Sequence, residues 1–154
     1  MKKIQKHHQG VVILEVLVSI VIFAVGVLGI VGLQAVTAKA GIDARFRTEA
    51  ATLSDEIVAR AQIWTDSATL ASNFTGTSDL TSRSGGSEFV YWYDNRLKLT
   101  GSGLPGAIAI VTFPATYTVT GAGKLITVQV SWQAPGVAER SAHTTVAALP
   151  GTGG

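Results

Sequence analysis

A nearly unbroken apolar run from Val11 to Leu33 limits what this chain can fold into more than any other feature. Glu15 and Ser19 carry its only polar side chains. As a helix rising about 1.5 Å per residue, the run would be roughly 35 Å long, and the hydrocarbon core of a bilayer is about 30 Å thick. A chain of 154 residues is too small to bury such a helix on all sides. The run therefore predicts a membrane-spanning helix.

Positive charge is concentrated before the run. Lys2, Lys3 and Lys6 all precede Gly10, and without them the lysines and arginines nearly balance the acids. This asymmetry predicts a cytoplasmic N-terminus and a periplasmic remainder. Because no dense basic cluster follows residue 10, we expect no direct binding of nucleic acid.

The run is also unlike a secretory signal peptide. Its apolar part exceeds the usual length of about 7–15 residues, and no small-residue cleavage site closes it. The chain contains no cysteine, so an exported domain would be held together by packing and not by disulfides.

The segment "GVVILEVLVSIVIFAVGVLGIVGLQ", residues 10–34, resembles the N-terminus of type IV pilins and type II secretion pseudopilins. In that superfamily a short basic leader ends in Gly, and the prepilin peptidase cuts after it and methylates the new N-terminus. The fifth mature residue is typically Glu. Gly10 and Glu15 match these two positions, whereas the first mature residue, commonly Phe or Met, is Val11. The resemblance implies a leader over 1–10, cleavage between Gly10 and Val11, and N-methylation of Val11.

Within the superfamily, the helix is most similar to the PilV-type minor pilins, the type IV pilus modification proteins. The resemblance implies a structural subunit that helps initiate or modify pilus assembly, supporting adhesion, twitching motility or DNA uptake. Its partners would be other minor and major pilins, the prepilin peptidase, the inner-membrane assembly platform and the lipid bilayer. It would reside in the bacterial inner membrane and then in the pilus at the cell surface.

Two alternatives stay open. The "LEVLV" core at residues 14–18 also resembles the I-type minor pseudopilins of type II secretion. A periplasmic binding module that is anchored in the membrane and never polymerises is the third interpretation.

Glu15 has two interpretations. A charged acid near mid-bilayer costs about 2.5–3.5 kcal/mol, but Glu15 lies only about 6 Å along the helix from Val11 and could reach the interface. Alternatively, it pairs with the ammonium that cleavage creates at Val11 of a neighbouring subunit, and so fixes the register between subunits.

Gly26, Gly29 and Gly32 recur every three residues in the same helix. Small residues allow membrane helices to approach closely, and glycine also weakens a helix. Close packing, local melting on entry into a filament, and simple tolerance of glycine in a membrane helix all remain possible.

The helical pattern continues beyond the membrane. Apolar residues step by three or four positions, which predicts one face of an amphipathic helix. We therefore expect one helix over 11–64, with residues 11–33 in the membrane or filament core. This face should pack on a small sheet and consists of Ile42, Phe46, Ala50, Leu53, Ile57, Ala61 and Trp64.

Residues 65–87 are rich in Ser, Thr and Gly, and predict a loop with one short element at 67–71. Residues 88–150 predict a small β-rich periplasmic domain. Its first segment, 88–99, fits a helix or a strand, and the resemblance favours a short helix with its aromatic residues in the core.

Apolar residues then alternate, which predicts about four antiparallel strands and an α+β, pilin-like fold. A turn at 121–123 would join two of them, and the tail 151–154 should be mobile. The strands are expected at 107–113, 116–120, 126–133 and 143–149.

Catalytic patterns are missing from the sequence. His143 is the only histidine after the leader, and we expect it on a strand surface. No nucleophile elbow, zinc-ligand cluster, calcium loop or phosphate-binding loop is present. We therefore predict no enzyme activity, no cofactor and no metal.

Overall fold

The structure is a computed structural model, and it describes residues 9–98, 103–114, 118–119 and 123–150. By internal contacts the chain forms two units, one up to Ile42 and one from Asp43 onward. Most of the predicted leader, the tail 151–154 and most of the turn at 121–123 lie outside the described residues.

Helix α1 runs from Gln9 to Gln62, close to the predicted range of 11–64. In the first unit its large apolar side chains face outward. Their exposed fractions range from 42% at Val27 to 72% at Phe23. No described residue of this unit covers them.

The amphipathic face of α1 is confirmed within the second unit. Phe46 and Trp64 are partly buried against its core. Ile42 is predicted on the same face, but it is 51% exposed, because the contacts with the core begin one turn later, at Phe46. The fully buried members of the face are Ala50, Leu53, Ile57 and Ala61.

An antiparallel sheet forms the other layer of the second unit, so the α+β fold is confirmed. The long strand β5 pairs with β3 on one edge and with β6 on the other. Its alternate residues Ile126, Val128, Val130 and Trp132 are all fully buried. The strands within the described residues are β1 (Gly76–Ser78), β2 (Arg83–Gly85), β3 (Ile108–Thr112), β4 (Thr118–Val119), β5 (Gly123–Trp132) and β6 (Ser141–Leu149).

The short strand β4 shares a sheet position with β3. Lys124 of β5 pairs with both Thr118 of β4 and Leu149 of β6. Because a strand has only two edges, β4 must lie on the edge of β5 that also carries β3. The described sheet therefore has the spatial order β2, β1, β3 with β4, β5, β6, and is consistent with a pilin-like fold.

The loop predicted over 65–87 is wrong beyond its short element. Helix α2 (Ser67–Phe74) contains that element and extends past it. Asp66 caps α2 by accepting a hydrogen bond of 3.0 Å from the backbone N–H of Ala68. The hairpin of β1 and β2 follows, and β1 adds to the sheet by pairing with β3.

The helical interpretation of 88–99 is confirmed over most of its length. Helix α3 (Ser87–Trp92) leads directly into a π-helical segment from Tyr93 to Leu97. The predicted placement of its aromatic residues in the core is confirmed for Phe89, Trp92 and Tyr93, which are at most 3% exposed, but it is wrong for Tyr91, which is 53% exposed.

Glycines let the β1–β2 hairpin approach the helices closely. A Cβ at Gly76 would lie 2.1 Å from the ring atom Cδ1 of Phe89, and one at Gly86 would lie 2.1 Å from the carbonyl oxygen of Ser72. Such distances are far below van der Waals contact. The Gly-rich composition that suggested a loop therefore reflects close packing.

Gly76→Ala should destabilise the second unit by about 1–3 kcal/mol, the usual cost of inserting a methyl group into a packed core. Urea unfolding of the full chain in detergent micelles, followed by tryptophan fluorescence, measures this change. Thr77→Ala is the matched control, since Thr77 is the exposed neighbour of Gly76. Equal stability of the two variants would contradict the packing shown here.

The tip of the β1–β2 hairpin is held by Asp79. Its Oδ1 accepts hydrogen bonds from the backbone N–H groups of Thr81 at 2.7 Å and Ser82 at 2.6 Å. The hydroxyls of both residues also donate to the carboxylate. These backbone and side-chain hydrogen bonds hold the pKa of Asp79 well below its usual range.

Because folding lowers this pKa, the carboxylate stabilises the fold at pH values above about 4, its ordinary pKa. That contribution is lost as the pH falls toward the lower pKa of the folded state. We therefore expect Asp79→Asn to lower the Tm at neutral pH, and the difference from wild type to shrink on acidification. Asp55→Asn, on the exposed side of α1, is the control. A Tm difference that does not change with pH would contradict this role.

Candidate membrane and assembly segment

The predicted cleavage site lies within helical backbone. The described part of α1 begins at Gln9 and includes the peptide bond between Gly10 and Val11.

Glu15 lies about one turn after Val11 and is exposed. Its backbone carbonyl accepts a hydrogen bond of 2.8 Å from the Ser19 hydroxyl. Within the described part of the chain, its carboxylate has no hydrogen-bond or ion-pair partner. The side chain is thus free to interact with a group outside the chain.

A shallow groove runs along one side of α1 from Glu15 to Phe23. The carboxylate stands at one end, and the remainder of its wall is almost entirely apolar. The groove therefore combines one carboxylate with an adjoining apolar surface. Its lining residues are Glu15, Val16, Ser19, Ile20 and Phe23.

By length and composition, α1 is able to cross a membrane. Its most apolar window has a mean hydropathy of 3.0, and none of that window is buried. Two hydroxyl side chains in this part are satisfied locally: Ser19 donates to the carbonyl of Glu15 at 2.8 Å, and Thr37 to that of Leu33 at 2.9 Å. Such bonds lower the cost of placing a hydroxyl in lipid.

The three predicted glycines lie in uninterrupted helix. A Cβ built at Gly26, Gly29 or Gly32 meets no atom within 4 Å. No described neighbour within the chain therefore requires glycine at these positions. If close packing explains them, the packing partner belongs to another molecule.

The predicted site residues share one helix but do not converge. Gly26 lies roughly 16 Å along the axis from Glu15, at 1.5 Å per residue. Glu15 and the glycines can therefore act together only along an extended surface, such as a neighbouring helix provides. This is the geometry of an interface and not of a pocket.

Within the described ranges, no group of three or more His, Asp or Glu side chains could hold a metal ion. His143 lies half-buried on β6, with its Nε2 3.1 Å from the Thr145 hydroxyl.

Sequence reasoning missed the Asp79 turn, although an Asp followed by Thr and Ser two and three residues later is a known turn signal.

Comparisons with protein-family models, with curated proteins and with solved structures found no match to this chain. A function must therefore be argued from its own residues. The features that carry such an argument are an apolar helix that no described residue covers, a carboxylate without a described partner one turn from the predicted cleavage site, and an α+β unit.

Proposed function

We propose that this chain is a minor type IV pilin, a structural subunit that helps to initiate or modify pilus assembly. The observation that carries the proposal is the surface of α1. Its large apolar side chains from Val11 to Val36 are exposed, and among them Glu15 holds a carboxylate without a partner in the described chain. Such a surface suits two successive environments, first the lipid bilayer and then a bundle of like helices in a filament.

Processing would begin in the inner membrane. The basic leader keeps the N-terminus in the cytoplasm, and the second unit lies in the periplasm. The prepilin peptidase cuts after Gly10, and Val11 becomes the N-methylated end of the mature chain. Cleavage creates a positive charge at Val11, about one helical turn from the negative charge of Glu15.

Assembly would then pair unlike charges between subunits. A neighbour displaced along the helix axis brings its Val11 ammonium beside Glu15. At 4 Å and an effective dielectric constant near 20, two unit charges attract by about 4 kcal/mol. A misaligned neighbour leaves the carboxylate unpaired among apolar side chains, which is strongly unfavourable. The charge pair therefore selects the register, while the apolar surface supplies the contact area.

The glycines support the same interpretation. A helix passing Gly26, Gly29 and Gly32 meets no side chain at these positions, so two backbones can approach closely. Partners in this scheme are other minor and major pilins and the inner-membrane assembly platform. The pilus so modified would serve adhesion, twitching motility or DNA uptake.

Glu15→Gln tests the proposal, because it keeps the size of the side chain and removes its charge. The variant should insert into the membrane as wild type does, as measured by extraction at alkaline pH. Its amount in filaments sheared from cells should fall about tenfold or more, corresponding to at least 1.4 kcal/mol of lost pairing. Glu15→Ala should behave in the same way.

Ser19→Ala is the matched control. It lies in the same groove, and its hydroxyl is satisfied within the helix, so filament incorporation should be unchanged. Wild-type incorporation of Glu15→Gln would refute charge pairing. Absence of the wild-type chain from the sheared fraction would favour the membrane-anchored binding module. Release that depends on type II secretion genes and not on pilus genes would favour the pseudopilin.

A further inference from the structure

The two edges of the described sheet differ sharply. At one edge, β2 has only three residues, contains Gly85, and carries Arg83, which forms an ion pair with Asp94. Short length and charge are devices by which proteins prevent an edge strand from pairing with other chains. This edge is therefore protected.

The opposite edge has none of these devices. Strand β6 is nine residues long and contains no Lys, Arg, Asp, Glu, Pro or Gly. Its pairing with β5 is unbroken from Lys124 opposite Leu149 to Trp132 opposite Ser141, so no bulge distorts it. No other strand in the described ranges pairs with its free edge.

The exposure of its side chains also indicates that β6 is not covered. The residues of β5 that face the core are fully buried, whereas the β6 residues directly opposite them, His143, Thr145 and Ala147, are only half-buried. On the other face, Val146 is 59% exposed. The core thus thins at β6, and no described part of the chain caps it.

We propose that the free edge of β6 is a docking site for an extended, uncharged strand of another protein, which would continue the sheet. This inference does not depend on the proposed pilin function. The chemistry of the edge favours this occupant, because an extended backbone can pair with the alternating N–H and C=O groups along the whole length of β6. The uncharged row of β6 side chains provides no counter-charge for an acidic or basic strand.

A second copy of this chain fits the edge less well. Its β2 has three residues and could pair with only a third of β6. Antiparallel pairing of two β6 strands about Thr145 would place Ala142 opposite Ala148, and alanine pairs contribute the least to cross-strand packing. The small side chains instead leave room for a partner strand with larger β-branched or aromatic residues.

The probe is a peptide of the same length as β6 that alternates threonine and isoleucine. N-methylation at alternate residues blocks one of its edges, which prevents aggregation and leaves the other edge to pair. The experiment uses the full chain in detergent micelles. Hydrogen exchange of the alternate β6 amides that point outward should slow by about tenfold or more when the peptide is added.

Val146→Lys should weaken peptide binding about fivefold or more, since a charge is placed beside an uncharged edge. Ser84→Lys, exposed in β2 at the opposite edge, should not. The unchanged Tm of both variants would show that folding is intact.

Three results would overturn the proposal: no protection of β6, equal protection by a peptide N-methylated on both edges, or protection at β2 instead. Protection that rises with protein concentration in the absence of peptide would also overturn it, in favour of a second copy of the chain.

Discussion

The apolar surface of α1 in the first unit has no cover within the described chain, and the proposed function of this protein depends on that constraint. Between Val11 and Val36 the large side chains are exposed on every side of the helix. Water is a poor environment for such a surface, at roughly 25 cal/mol per Å² of apolar area. By length and composition the helix is able to cross a membrane, and Glu15 carries the one carboxylate of this surface.

The second unit differs from the first, because it folds around a hydrophobic core of its own. The buried face of α1, Phe89 and Trp92 of α3 and alternate residues of β5 form this core, and no residue of the first unit belongs to it. Phe89 and Tyr93 stack with ring centroids 6.1 Å apart. On the surface, Glu56 accepts hydrogen bonds from Arg96, at 2.8 Å and 3.0 Å. The unit can thus keep its fold while the environment of the membrane segment changes.

Sequence periodicity predicted those parts of the fold in which one face is buried over many residues. The steps of three and four from Phe46 onward and the alternation in β5 are of this kind. The β1–β2 hairpin escaped prediction because each strand has three residues, and its place depends on the distant pairing of Gly76 with Val111. Ile42 is predicted to be buried and is not. The three- and four-residue spacing of apolar residues extends to Ile42, but the core that buries them begins at Phe46. The candidate site was accessible to sequence reasoning because it depends on a local motif, but its proposed partner lies in another molecule.

The central claim is that the helix is released from its leader at Gly10 and leaves a free positive charge at Val11. The intact mass of the protein extracted from membranes of cells that contain the prepilin peptidase tests this most directly. We predict a chain that begins at Val11, with or without one methyl group on its N-terminus. In cells without the peptidase, the same measurement should give the full chain. A protein that still begins at Met1 in peptidase-containing cells would contradict the account.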